Sequence, residues 1–311
     1  MIYTYADFVP QFSCAMCGMC CRNDWQVTVD KESYYRNERL FSAQGRLEEF
    51  VRAFIPLQVQ GNVGEYAFIA KGENGCSFLA ADNRCSLQLA AGHEHLDSVC
   101  RTYPRYPMAT ERGWDITLSF SCPAVLRAAA RVEPLEFVRS ADKPLEFDEA
   151  AAVAHVFPHH EPYCSIKRYY FELERYCIAV LQWRALEIGA RLDFLSESLA
   201  EVAVMAGQDD SGLGISRIIR RRYELLESLG ERPITTRFDA GILVEHFMVN
   251  LVFKKIGYLY GFEKMMKLLG EAWGRLECAL DEPADSGLAL AERLIMEFEL
   301  QYSHNRKLLL K

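Results

Sequence analysis

Cys14-Ala15-Met16-Cys17-Gly18-Met19-Cys20-Cys21 places four thiols in eight residues. Neighbouring residues point in different directions, so four such side chains do not all pack into one core. Two Cys-x-x-Cys steps sharing Cys17 instead set thiolates on successive turns of a loop, where an inorganic centre can gather them. Gly18 lets the chain turn tightly enough for the sulfurs to converge. Further thiols follow as Cys76 beside Gly75, Cys85 after Arg84, Cys100 in Val99-Cys-Arg-Thr-Tyr-Pro-Arg105, and Cys122 before Pro123. Each falls at or beside a turn or the end of an element, where a ligand can leave the backbone and face a shared centre.

The pattern therefore predicts eight metal ligands: Cys14, Cys17, Cys20, Cys21, Cys76, Cys85, Cys100 and Cys122. Soft thiolate sets select zinc or iron-sulfur. An iron-sulfur cluster, of the 4Fe-4S kind, is the leading expectation, and an all-thiolate zinc site that serves folding alone is the alternative. The remaining thiols, Cys164, Cys177 and Cys278, are expected as single core residues on helix faces.

The composition supports a metal rather than a disulfide reading. A chain of 311 residues, half of them hydrophobic, is long enough for two domains with their own cores. Its formal charge of −8 argues against nucleic acid as a partner, which would need concentrated Lys and Arg. The one basic run, Arg217 to Arg222, sits in a helical pattern and is expected to form a solvated or salt-bridged face. No stretch reaches the ~18–20 apolar residues that span a bilayer, and the start lacks a secretory pattern, so no membrane is expected and the location is expected to be cytoplasmic. A reducing compartment leaves eleven cysteines without a disulfide role.

The predicted fold class is α+β: a small, loop-rich cysteine-cluster metal domain with short strands and helices over 1–132, a linker over 133–164, and a mainly α-helical domain over 165–311. Helices are expected over Lys31–Phe41, Arg46–Phe54 and Pro123–Arg131, and strands over Val63–Ala70 and Trp114–Phe120. Pro134, Pro144, Pro158 and Pro162 break the linker. Apolar residues at helical spacing from Ser165 onward give five or six helices.

At its cysteines the chain resembles the zinc- or iron-chelating cysteine-cluster proteins, whose pattern is Cys-x-x-Cys-Gly-x-Cys-Cys followed by Cys, Cys and a Cys-Arg-x-Tyr/Phe-Pro segment. Within that group it is most similar to the flagellin lysine-N-methylase family. The further match is Leu118-Ser-Phe-Ser-Cys122-Pro123 and an aromatic-rich segment, Val249-Asn-Leu-Val-Phe-Lys-Lys255. The resemblance is specific over residues 12–130 and loose afterward. It implies an enzyme that uses S-adenosylmethionine to methylate lysines of flagellin, or of another protein bearing surface lysines, with an iron-sulfur centre in the cysteine domain. Iron-sulfur electron transfer and a zinc protein without turnover are the alternatives.

No familiar donor site accompanies the cysteines. The glycine-rich Asp210-Ser-Gly212-Leu-Gly214 lies between helical stretches rather than after a strand, unlike a dinucleotide-type fold. The radical triplet Cys-x-x-x-Cys-x-x-Cys is absent, since Asp24 stands where its third cysteine would be. Methyl transfer to lysine needs a neutral amine, so Asp24, Asp30, Tyr103 and Tyr106 are candidate proton acceptors. Arg101 and Arg105 are candidates for holding the donor carboxylate. His93 and His95 lie between Cys85 and Cys100, where one could replace a thiolate ligand, but a surface loop is the expectation; the set His155, His159, His160 with Cys164 resembles a metal set by type, yet its spacing in a proline-broken linker argues against one.

Overall fold

The computed structural model describes residues 1–23, 25–57, 64–149, 152–208, 212–230 and 236–302. In chain order the elements are β1 (Tyr3–Ala6), α1 (Met19–Arg22), β2 (Thr28–Val29), α2 (Lys31–Ala43), α3 (Leu47–Ala53), β3 (Phe54–Pro56), β4 (Ala67–Ile69), β5 (Lys71–Gly72) and β6 (Gly75–Cys76). There follow α4 (Ser86–Ala91), α5 (Ser98–Thr102), β7 (Arg105–Thr110), β8 (Gly113–Leu118), α6 (Pro123–Ala128), β9 (Phe137–Ser140) and β10 (Ala154–Val156). The last part is helical: α7 (Tyr170–Leu181), α8 (Ile188–Ala206), α9 (Leu213–Ser228), α10 (Ala240–Phe253), α11 (Ile256–Tyr260), α12 (Phe262–Leu276) and α13 (Ala284–Tyr302). The fold is thus mixed, with small sheets and a helical C-terminal half.

Two compact units emerge: Met1–Phe12, Tyr106–Glu146 and Ala152–Lys311 form one, and Ser13–Arg105 with Phe147–Ala151 the other. This division corrects the linear one at residue 132. The reason is strand pairing: β1 pairs with β8 in parallel and with β9 antiparallel, so the first residues join a five-stranded sheet of order β10-β7-β8-β1-β9. The expected linker supplies two of those strands, with β10 parallel to β7. Its prolines bracket short extended pieces instead of leaving the segment without structure.

In this larger unit α10 is buried on every side, as its nearly continuous apolar sequence requires. Charges embedded in it must therefore be paired. Glu245, 2% exposed, meets Arg184 Nη2 and Arg191 Nη1, each at 2.7 Å. Beyond the end of the helix, Lys255 Nζ stands 2.8 Å from Asp115 Oδ2 and 2.5 Å from Glu174 Oε1, and Lys254 pairs with Glu299. Strand β8 presents Asp115, Thr117 and then Ser119 to these partners, while Trp114, Ile116 and Leu118 alternate with them, and all are buried. Asn250 donates to the Leu118 carbonyl at 3.0 Å, and Glu299 accepts from Ser119 Oγ at 2.9 Å and the Phe120 amide at 2.8 Å. Burial pushes the Asp115 carboxyl up, but the Lys255 and Arg112 charges outweigh it and hold the carboxyl below its usual range. The basic run lies on α9 and pairs with α8, with Arg222 Nε 3.0 Å from Glu201.

The smaller unit has its own core of Phe41, Phe50, Phe54, Phe78 and the aliphatic residues around them. The three-stranded sheet β2-β4-β3 and helices α2 and α3 enclose it. Asp30 starts α2 by accepting the Ser33 amide at 2.8 Å. Observed α2, α3 and α6 match the expected helices to within a few residues, and β8 matches its strand. The strand expected from Val63 begins at Ala67; Val63 itself lies outside the described residues.

Glu245→Ala is expected to destabilise the chain by about 3–5 kcal/mol in urea unfolding, because it strands two desolvated guanidinium groups. Glu49→Ala, which breaks the exposed Arg46–Glu49 pair, should cost less than about 1 kcal/mol. Equal, small effects would contradict the buried role of Glu245.

Candidate metal centre

The cysteine loop closes on two glycines. Gly18, with φ +71°, precedes α1, and a Cβ there would stand 2.7 Å from Arg22 Nη1. Gly75, with φ +110°, opens β6, where a Cβ would lie 2.6 Å from the Cys21 carbonyl oxygen and 3.1 Å from Arg22 Cα. The β5–β6 hairpin can approach α1 only because residue 75 has no side chain. That approach carries Cys76 to the neighbourhood of Cys20 and Cys21.

Arg22 fastens the next segment. Its Nη1 donates to the Cys17 carbonyl at 3.0 Å, and its Nη2 donates to Asn83 Oδ1. Asn83, with φ +66°, sits in the turn closed by the Ala80 amide on the Arg84 carbonyl at 2.9 Å. Leu79 and Cys85 form an antiparallel bridge across this turn, so Cys85 leaves it at the start of α4. Cys100 lies in α5, which Asp97 caps by accepting the Val99 amide at 3.2 Å. Cys76 and Cys85 pack against the aromatic core of the smaller unit.

Five of the predicted ligands thereby become electrostatic neighbours. The Cys20 and Cys21 sulfurs are 4.0 Å apart. A hydrogen bond from Cys21 holds the Cys20 thiol down to about 7, and the same contact, with burial and the charges of Cys76 and Cys100, pushes Cys21 far up. The two thiols titrate as a coupled pair, Cys20 shifted down and Cys21 up. Burial raises Cys76 and Cys85, and Cys20 adds to both. Cys100 is exposed as a residue, yet protein crowded around its sulfur raises the thiol strongly, followed by the charges of Asp97, Cys76, Cys85 and Cys20. Burial, reinforced by Asp30, also lifts the Asp97 carboxyl to about 6.

The other predicted ligands are Cys14, Cys17 and Cys122. Cys14 and Cys17 are exposed on the same loop, with the Met16 amide 3.4 Å from the Cys14 sulfur. Cys122 belongs to the larger unit, where it is buried at the start of α6. Among the described residues, no three His, Cys, Asp or Glu side chains stand close enough to hold one metal ion. Of the expected core thiols, Cys177 is fully buried on α7, whereas Cys164 and Cys278 are exposed and correct that expectation.

Among the candidate catalytic and donor-binding residues, Asp24 lies outside the described residues. Tyr103, in the smaller unit, packs its ring edge-on to Trp25 at 4.8 Å. Tyr106 is in the larger unit, with Lys254 Nζ 5.0 Å from its ring centre. Asp30 is occupied with Ser33, Arg101 is 3.6 Å from Asp148, and Arg105 Nη1 donates to the Arg101 carbonyl at 3.5 Å. His95 meets Asn37, His159 meets Glu111, and His160 stacks on Phe157, with ring centres 5.6 Å apart. Gly212 stands at the start of α9 and Gly214 in its first turn, so the pair opens a helix that follows a helix rather than a strand, while Asp210 and Ser211 are outside the described residues. Arg22 and Asp97 were not among the predicted site residues, although Arg22 directly follows the cysteine run and Asp97 precedes Cys100 by one helical turn. No family model, curated protein or solved structure matches the chain.

Two measurements test this geometry. Gly75→Ala should lower stability by about 2–3 kcal/mol in urea unfolding, whereas Gly72→Ala, in the same hairpin with open space around it, should stay within about 0.5 kcal/mol; equal effects would contradict the close approach. In metal-free protein under reducing conditions, alkylation of Cys20 should rise through pH 6–8, because its lowered titration point exposes thiolate there. In Cys21→Ala that rise should move to higher pH; an unmoved profile would contradict the coupling of the two thiols.

Proposed function

We propose that the smaller unit is a metal-centre domain, with an iron-sulfur cluster held by Cys20, Cys21, Cys76, Cys85 and Cys100 together with thiols of the Cys14–Cys17 segment. What supports this reading is that five thiols from four separate segments lie near enough for their charges to act on one another, with the Cys20 and Cys21 sulfurs 4.0 Å apart, although no three of them stand within reach of one ion as the described residues are arranged. Unpaired thiols gain nothing from such crowding, whereas thiolates around a cationic centre do. The donor set fits the group by type: soft sulfur, backed by an apolar core that restricts water. The sulfurs draw together on loading, since metal binding and local folding are one equilibrium.

On this reading the chain is a protein-lysine N-methyltransferase of the flagellin-modifying kind, using S-adenosylmethionine in the cytoplasm. That activity rests on the resemblance over residues 12–130. An iron-sulfur centre would supply a group able to anchor the amino and carboxylate ends of the donor. Arg101 and Arg105, which flank the centre, would orient the carboxylate. Tyr103, one turn beyond Cys100, is the candidate proton acceptor for the lysine amine in the same unit. The acidic chain suits a protein substrate presenting lysines and disfavours nucleic acid.

Anaerobic purification is expected to give brown protein with iron, acid-labile sulfide and a broad band near ~400 nm. With labelled S-adenosylmethionine and unmethylated flagellin, label should appear on lysines and be lost in Cys76→Ala. Colourless protein with stoichiometric zinc would replace the cluster by a structural site. A cluster that cycles redox state without any methyl transfer would leave an electron-transfer protein.

A further inference from the structure

Helix α2 carries Tyr34 and Tyr35 side by side, and Tyr66, just before β4, comes up against both. The Tyr34 ring centre lies 5.4 Å from that of Tyr35 and 5.0 Å from that of Tyr66, while the Tyr35 and Tyr66 centres are 5.6 Å apart with the rings tilted by 43°. The trio is rooted in the fold. Tyr34 packs on Phe50 with centres 4.9 Å apart, and Tyr66 lies against the same aromatic core while its amide donates to the Val29 carbonyl at 2.9 Å. Tyr35, 37% exposed, is the outermost of the three, and its hydroxyl is hydrogen-bonded to that of Tyr66 at 2.9 Å. Two ring faces are thus held in a fixed relation at the surface.

Such faces are negative and attract cations, most strongly cations that hold water weakly. Glu38 follows Tyr34 and Tyr35 by one turn of α2, so its carboxylate shares their side of the helix. Burial, and after it the Glu38 charge, raises the Tyr34 hydroxyl. Elsewhere the protein covers its half-exposed rings with its own cations, as with Arg46 over Phe41, Arg112 over Phe171 and Arg168 over Tyr163. Among the described residues no Lys or Arg stands over Tyr34, Tyr35 or Tyr66, although Lys31 and Arg39 lie one turn to either side of Tyr35 on α2.

We infer that Tyr35, Tyr66 and Glu38, backed by Tyr34, form a recognition site for a methylated ammonium group, with the ring faces taking the methyls and the carboxylate the charge. An unmethylated ammonium is strongly hydrated and needs hydrogen-bond acceptors, whereas the two phenol oxygens here are already bonded to each other. On a protein partner this group is a methylated lysine. That last assignment rests on the lysine-methylation reading and deepens it, because it gives the product of transfer a place on the smaller unit; recognition of the cation itself does not depend on it.

The probe is N-acetyl-trimethyllysine amide, titrated into the whole chain and followed through the tyrosine ring resonances, beside the neutral analogue with carbon in place of the trimethylated nitrogen. The cation should bind at least about fivefold more tightly than the neutral analogue, and Tyr35→Leu and Tyr66→Leu should each weaken it about twofold to fivefold. Tyr35→Phe keeps the ring and should retain most of the affinity, while Glu38→Gln should weaken binding and flatten its dependence on salt. Equal binding of the cation and its neutral analogue, binding of neither, or the same loss in Tyr35→Phe as in Tyr35→Leu would overturn the inference. Flagellin methylation by protein that fails this titration would remove the site and leave the enzyme reading standing. Selective binding by protein that transfers no methyl group would keep the site and remove the enzyme reading.

Discussion

A Cβ on residue 75 would lie 2.6 Å from the Cys21 carbonyl oxygen, and the arrangement of the smaller unit depends on the absence of that atom. The close backbone approach seats the β5–β6 hairpin against α1, and Arg22 ties the same helix to the turn before Cys85. Everything proposed for the site follows from this closure. Without it, Cys76 and Cys85 would be isolated half-buried thiols on an aromatic core, and Cys20 and Cys21 an exposed pair on a short helix.

The closed arrangement stores electrostatic work. Burial and mutual charge raise four of the five thiols and lower one, so in metal-free protein only a minority ionise near neutral pH. A bound cationic centre would reverse that balance, because it would stabilise the thiolates the surroundings disfavour. The same logic governs the larger unit in a different form. There Glu245, Asp115, Glu174 and Glu299 lie within the core, each matched by Arg or Lys, and the Phe120 amide adds a donor to Glu299. Those pairs add little net stability over apolar packing, but breaking one leaves an uncompensated charge.

The sequence made the elements of this fold partly legible. The amphipathic periods after Ser165 announced helices, while the run Cys14 to Cys21 carries an expectation of ligands that rests on the packing argument alone. Strands β9 and β10 escaped because each is only three or four residues long and lies among prolines that normally interrupt pairing. The membership of β1 in the larger unit escaped as well, since a parallel pair more than a hundred residues apart leaves no local periodicity. Lys254 and Lys255 stand at the end of an apolar run, where a helix terminus in solvent is the ordinary reading; only the acids on β8, α7 and α13 show why they are buried. At the site, Gly75 looks like a turn glycine, and its close approach to the Cys21 carbonyl depends on a neighbour that spacing does not reveal.

The central claim is that thiols from separate segments meet at one centre, and cysteine footprinting tests it most directly. Anaerobically loaded and chelator-stripped protein would be alkylated in parallel, and each cysteine followed by mass spectrometry. The account predicts that Cys20, Cys21, Cys76, Cys85 and Cys100 are protected together by the metal and released together by its removal, while Cys164 and Cys278 react equally in both states. Loaded protein in which Cys76 and Cys85 label as fast as in stripped protein would contradict it.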